Sequence, residues 1–95
     1  MLTPKNRAVL KSMANHLKPQ VTLGKGEVDE NILSAIANSL EAHELIKVKV
    51  LQNSNEDIHA ISEQIVLGTD SFLVDIIGRI IILYRPSKKH PRNLI

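Results

Sequence analysis

The sequence has 95 residues, of which 43% are hydrophobic and 23% charged, with a formal net charge of +2 and no cysteine. Since domains typically run about 100–150 residues, this length predicts one small domain and argues against a two-domain enzyme. The absence of cysteine excludes a disulfide framework and a thiolate metal site. The apolar runs are far shorter than the roughly 20 residues of a membrane span, and no signal peptide is expected, so we predict a soluble, cytoplasmic protein.

Charge is distributed unevenly along the chain. Residues 1–25 hold five basic side chains and no acidic one, and residues 76–95 hold five more, again without an acid. All ten acidic residues lie between, accompanied only by Lys47 and Lys49. If the fold joins the two basic ends, they form one positive surface of the kind that docks on phosphates; the alternative is an ordinary solvated surface.

The first predicted helix starts at Thr3, which acts as N-cap before Pro4, and it ends at Pro19. Its predicted apolar stripe comprises Val9, Leu10, Met13 and Leu17. Three basic residues fall together on a neighbouring side of this helix: Arg7, Lys11 and Lys18.

Two strands and two helices are predicted next. Val21–Leu23 forms a short strand, after which Asp29 caps the second helix. In the strand over residues 45–51, apolar residues alternate with Lys47 and Lys49, so one strand face is basic. The third helix is expected after a turn and cap at residues 53–55, with residues 56 and 57 in its first turn, and to stop near Gly68.

The chain then closes with two strands, over residues 72–77 and 80–85. Gly78-Arg79 between them is typical of a two-residue hairpin, which predicts antiparallel pairing. The order α-β-α-β-α-β-β predicts an α/β, two-layer domain over residues 1–86 with one mixed four-stranded sheet. Residues 87–95, which follow Pro86, are expected to form a basic, loosely ordered tail.

The loop at residues 24–27 is a candidate anion site. Backbone N–H groups of Gly24, Lys25 and Gly26 precede a helix N-terminus, which attracts phosphate; a plain turn is the alternative. No nucleotide-binding glycine motif, metal-ligand spacing or catalytic constellation is present in the sequence. We therefore predict no enzyme activity, no cofactor, no metal and no small-molecule substrate.

These patterns favour a nucleic-acid-binding protein that recognises phosphates and ribose. Only Phe72 and Tyr84 are aromatic, which is too few for recognition by stacking. Phe72 is expected in the core, and Tyr84 is either a single stacking contact or a core residue. The predicted RNA-binding residues are Arg7, Lys11, Lys18, Gly24, Lys25, Gly26, Lys47, Lys49, Arg79, Tyr84 and Arg85.

Four stretches of the chain carry a family resemblance. They are His16-Leu17-Lys18-Pro19, Leu23-Gly24-Lys25-Gly26, residues 40–50, and Ile77-Gly78 with residues 83–87. In order and spacing they resemble the CRM domain (chloroplast RNA splicing and ribosome maturation), specifically its stand-alone, YhbY-like bacterial members.

The resemblance implies a fold similar to the C-terminal domain of translation initiation factor three. It also implies RNA binding and association with precursors of the large ribosomal subunit. The family's loop after the first strand is a G-x-x-G motif likened to that of KH domains, which clamps the nucleic-acid backbone. Glu27 stands where the second glycine is usual, and its carboxylate is expected to weaken phosphate binding there.

We accordingly expect a monomeric RNA-binding protein that contacts ribosomal RNA and assists assembly of the large ribosomal subunit. The alternative is a protein–protein adaptor on ribosome precursors. In that alternative the acidic middle of the chain, including Glu41, Glu44 and Glu63, contacts a basic ribosomal protein or assembly factor.

Overall fold

The computed structural model describes residues 2–24, 28–51 and 57–95. Within these ranges, seven elements follow in chain order: α1 (Pro4–Ala14), β1 (Val21–Leu23), α2 (Glu30–His43), β2 (Leu45–Val50), α3 (Ile58–Thr69), β3 (Phe72–Ile77) and β4 (Ile80–Tyr84). The predicted element order is confirmed, and so are the three helices and the mixed four-stranded sheet.

The sheet has the strand order β1-β2-β4-β3. β1 pairs with β2 in parallel, whereas β4 is antiparallel to both of its neighbours, β2 and β3. The hairpin between β3 and β4 turns at Gly78, whose φ of 59° is readily adopted by glycine. The predicted antiparallel pairing of the last two strands is therefore confirmed.

Helices cover both faces of this sheet. Alternate residues of β2, including Ile46 and Val48, pack with Ile36 of α2 and Ile65 of α3 in one buried cluster. On the opposite face a second cluster lies beneath α1 and comprises Leu2, Leu10, Ala14, Leu45, Val74, Ile82 and Tyr84. The predicted two-layer arrangement is therefore wrong in this respect, because α1 adds a third layer with its own core.

Local sequence explains the helix ends. Thr3 and Asn6 form a reciprocal capping box at the start of α1, as their backbone N–H groups each donate to the other's side chain. α1 ends at Ala14, earlier than predicted, so Lys18 lies beyond the helix. Asp57 is itself the N-cap of α3, because its carboxylate accepts the His59 backbone N–H; residues 53–56 lie outside the described part of the chain.

Residues 87–92 lie against the C-terminal end of α2. The Glu41 carboxylate accepts hydrogen bonds from the Ser87 hydroxyl at 2.6 Å and from the Lys88 backbone N–H at 2.8 Å. The buried Glu44 carboxylate accepts the backbone N–H groups of Ser87 and Arg92. These contacts place the start of the predicted loose tail on the domain surface, since two carboxylates satisfy its N–H groups.

Candidate functional site

Helix α1 is positively charged, whereas α2 and α3 are negatively charged. α1 carries Lys5, Arg7 and Lys11 and no acidic residue, whereas α2 and α3 contain no lysine or arginine. Because α1 lies on one face of the sheet and α2 and α3 on the other, the charges of the helices are separated by face. We call the α1 side, together with the Lys47 and Lys49 side of β2, the basic face.

Lys11 is tied to the sheet at the β3 edge of the basic face. Its Nζ lies 2.9 Å from a carboxylate oxygen of Asp75, and both side chains are at least one-third exposed. The hydrogen bond from Lys11 lowers the pKa of Asp75, with a further contribution from the nearby charge of Arg7. Arg7 and Lys11 are therefore neighbours, as predicted, and one acidic side chain offsets part of their charge.

Lys47 has an internal role at the centre of the same face. Its Nζ donates to the Leu17 backbone carbonyl at 3.1 Å, which joins β2 to the segment after α1. Gln20 strengthens that junction, since its side-chain oxygen accepts the Lys47 backbone N–H at 3.0 Å. Lys18, next in the chain after Leu17, is exposed. The structure thus brings Lys18 close to Lys47 although α1 does not extend to it.

Beyond α1, one row of side chains crosses the sheet in the open. Backbone register places Thr22 opposite Lys49, Lys49 opposite Ile80, and Ile80 opposite Ile77. Thr22, Lys49 and Ile77 are exposed and Ile80 is half-buried. We call these four residues the open row. In it the Lys49 cation lies between the Thr22 hydroxyl on one side and two isoleucines on the other. Sequence reasoning found only Lys49, because the other members become neighbours through strand order.

Gly24, the first residue of the candidate anion loop, lies at one end of the sheet. Gly24 follows β1, and a Cβ at this position would lie 3.9 Å from a methyl group of Leu51. Arg79 reaches the same end of the sheet, where its Nη2 donates to the Leu51 carbonyl at 2.9 Å and its Nε to the Val50 carbonyl at 3.2 Å. Lys49 and Arg79 line one surface depression there. Lys25, Gly26 and Glu27 lie outside the described residues.

Tyr84 does not belong to this exposed surface. Its side chain is only 4% exposed and packs in the cluster beneath α1, where its ring stacks on Phe72 at a centroid distance of 6.5 Å. Burial raises the pKa of Tyr84, and the nearby charge of Glu44 raises it further. The predicted RNA contact at Tyr84 is therefore corrected to a core position.

Arg85 is also a structural residue. Its guanidinium donates to the carbonyls of Thr69 at 2.9 Å and Ala37 at 3.3 Å, and it lies 3.7 Å from a Glu41 oxygen. These partners belong to α2 and the end of α3, on the opposite side of the sheet from Lys11. The predicted single surface formed by both basic chain ends is therefore wrong, and Arg85 is removed from the candidate site.

Two of the acidic residues at the C-terminal end of α2, Glu41 and Glu44, form hydrogen bonds within the protein. Hydrogen bonds from Ser87 and from the Lys88 and Lys89 backbones lower the pKa of Glu41 from 4.5 to about 2. Glu44 is fully buried, whereas Glu63 is exposed. Two of the three acids assigned to the adaptor alternative therefore hold the protein's own chain.

The chemistry available on the basic face is attraction of a polyanion. Exposed lysines and arginines are donors suited to phosphate oxygens, and the open row adds the Thr22 hydroxyl and apolar side chains. Among the described residues, no group of three or more His, Cys, Asp or Glu side chains is arranged to hold a metal ion. None of the helices in this part of the chain combines the length and the apolar character that a membrane span needs.

Fold and site together define a small mixed α/β domain with one basic face. Residues 2–85 match the family model described as CRS1 / YhbY (CRM) domain. The chain belongs to this family.

Three similar proteins fit that assignment. Bacillus subtilis (strain 168) has one named Probable RNA-binding protein YqeI, 49% identical over 90 residues that cover 95% of this chain and 94% of that protein. A Haemophilus influenzae protein named RNA-binding protein is 43% identical over 88 residues, with 93% and 89% covered. The solution structure of the hypothetical protein SAV1595 from Staphylococcus aureus is similar with a TM-score of 0.79, at 43% identity and with 93% and 92% covered.

Proposed function

We propose that this protein binds RNA through its basic face and is not an enzyme. The observation that carries the proposal is the separation of charge by the sheet, with cationic α1 on one face and helices free of lysine and arginine on the other. Phosphates dominate the affinity of proteins for nucleic acids, so a polyanion approaches the side that attracts it. The relatives named as RNA-binding proteins support this choice of polyanion.

The proposed contacts are the basic residues of the α1 side, the open row, and the sheet end at Gly24 and Arg79, together with the loop that follows Gly24 in the sequence. They are Arg7, Lys11, Lys18, Lys47, Lys49 and Arg79, with Gly24, Lys25 and Gly26 of the loop. Phosphate contacts at these positions fix the orientation of the RNA, whereas the open row is placed to contact ribose and base edges.

The further proposal is that the bound RNA is ribosomal, in precursors of the large subunit, and that a monomer acts there in the cytoplasm. It is supported by the resemblance to the stand-alone members of the family. Crosslinking the protein to RNA in cell extract and sequencing the attached fragments tests it. Enrichment of large-subunit rRNA is expected, and fragments scattered over unrelated transcripts would contradict the ribosomal role.

A pair of variants with equal change in net charge tests the basic face. Replacing Arg7 and Lys49 by Gln removes two positive charges from it, and Asn38→Glu with Ala60→Glu adds two negative charges to exposed positions of α2 and α3. With a labelled large-subunit rRNA transcript, the first variant should lose roughly 10-fold in affinity or more, and its salt slope should fall by about 2.

The second variant should bind nearly as the unmodified protein does. Equal losses in the two variants would show that binding follows net charge rather than one face, which would reject the proposal. If about four phosphates are neutralised, a fourfold rise in salt should weaken binding roughly 50-fold to 150-fold. A response to salt that is nearly flat would also reject it.

A further inference from the structure

An exposed apolar side chain marks the side of the sheet opposite the basic face. Leu67 of α3 is 85% exposed, far more than the other large hydrophobic residues of the described chain. It borders a groove of about 330 Å³ that is also lined by Ser62, Glu63, Val66 and Leu73. Scattered apolar residues are normal on protein surfaces, but a leucine beside an apolar groove is a feature of interaction sites.

A second depression lies between α2 and α3 and includes Gly68, the residue after Leu67. It is lined by Glu30, Leu33, Ser34, Ala37 and Gly68. The two helices meet closely here, since a Cβ at Gly68 would lie only 2.7 Å from a Leu33 methyl group. α3 thus lines both depressions, with Leu67 in the first and Gly68 in the second, and we call these two depressions together the α3 groove surface.

The charge around this surface selects its partner. Each depression has one glutamate in its lining, Glu63 in the first and Glu30 in the second. The capping residues Asp29, Asp57 and Asp70 add acidic groups at the ends of these helices, which themselves carry no lysine or arginine. RNA is repelled by this charge, whereas a protein segment with lysines or arginines beside apolar side chains matches both the groove and its rim.

We propose that the α3 groove surface binds a basic, amphipathic segment of another protein while the basic face holds RNA. An apolar side chain of the segment packs beside Leu67 in the groove, and its cations pair with Glu63 and Glu30. The protein then joins an RNA and a basic protein on opposite sides of one sheet. This interaction does not depend on the RNA contacts, so either one can fail without the other.

The test uses a labelled 14-residue synthetic peptide with leucines on one helical face and lysines on the other, and its fluorescence anisotropy with the full chain. Leu67→Ser should weaken binding about 10-fold or more, because buried anchors carry most of the affinity at interfaces. Glu63→Gln combined with Glu30→Gln should also weaken it and reduce its dependence on salt. Both variants should bind RNA as the unmodified protein does.

Val9→Ser is the matched control, because Val9 is an apolar residue 41% exposed on α1. It should leave peptide binding unchanged, and a peptide with serines in place of the leucines should bind weakly to every variant. Equal affinity of the unmodified protein and Leu67→Ser would overturn the proposal. Displacement of the peptide by RNA would also overturn it. So would sedimentation data in which the unmodified protein self-associates and Leu67→Ser does not, because a second copy of the chain would then occupy the groove.

Discussion

The two faces of the sheet have similar apolar cores, but the helices that cover them carry different exposed charges. Each covers an apolar cluster with helix side chains, and β2 contributes to both, with Ile46 on one side and Leu45 on the other. Outside, α1 is cationic, and α2 and α3 carry only acidic charged residues apart from histidine. The comparison shows that burial sets the layers, while the choice of exposed residues sets the charge of each face.

The largest expected effect tests whether α1 is an integral layer. Leu10, on the side of α1 that faces the sheet, is completely buried. Leu10→Ala should therefore lower the free energy of unfolding by about 2–5 kcal/mol, as for other fully buried leucines. Urea titration measures this change. Val9→Ala, at an exposed position of the same helix, should cost far less. If the two variants were equally stable, α1 would not be packed on the sheet.

The next effect distinguishes a structural arginine from an RNA contact. Arg85→Ala removes two hydrogen bonds from a charged donor and should cost about 1.5–3 kcal/mol of stability, while RNA affinity of the folded variant stays unchanged. Lys18→Ala should do the opposite, since Lys18 is exposed: stability is kept and RNA affinity falls. Urea titration measures the stability of both variants, and filter binding measures their RNA affinity. A loss of RNA affinity in Arg85→Ala but not in Lys18→Ala would contradict the structural role assigned to Arg85.

A smaller effect concerns the acid that lies within the basic face. Asp75→Asn removes the carboxylate paired with Lys11, so RNA affinity should rise by about 2-fold to 5-fold, the range set by an exposed ion pair. Asp70→Asn, at the end of α3 on the other side, should leave RNA affinity unchanged. The measurement is fluorescence anisotropy at low salt. No gain from Asp75→Asn would show that Lys11 does not contact RNA.

The smallest expected effect is a pH dependence of the stabilisation contributed by Glu41 of α2. The pKa of Glu41 is lowered to about 2 by hydrogen bonds from the segment after β4. A lowered pKa means that Glu41 stabilises the fold above pH 4.5 and that this contribution is lost as the pH falls from 4.5 towards 2. The stability difference between the unmodified protein and Glu41→Gln should shrink over that interval in urea titrations. A constant difference would show that Glu41 has its ordinary pKa.

Much of the fold was predictable because local signals were strong. Thr3-Pro4 specified the start of α1, and Gly78-Arg79 specified the last hairpin. The layering was not predictable, since it depends on which sheet face α1 covers. The stripe assumed for α1 was also partly wrong: Leu10 is buried, but Val9 and Met13 are more than one-third exposed.

The candidate site was predictable where charge alone decided it. Arg7, Lys11 and Lys49 are exposed on one face, and no tertiary information was needed to select them. Arg85 and Tyr84 were misassigned because sequence gives their chemistry and not their burial. The role of Asp75 could not be inferred either, since its pairing with Lys11 requires β3 to lie beside α1.

The strand order also determines when the molecule can be completed during synthesis. β4, the last strand to leave a translating ribosome, occupies an interior position between β2 and β3. Until Tyr84 has emerged, β3 has no neighbour to pair with and the apolar side chains of β4 are missing from both cores. A nascent chain therefore acquires its two opposed surfaces together, once β4 has emerged, and not one after the other.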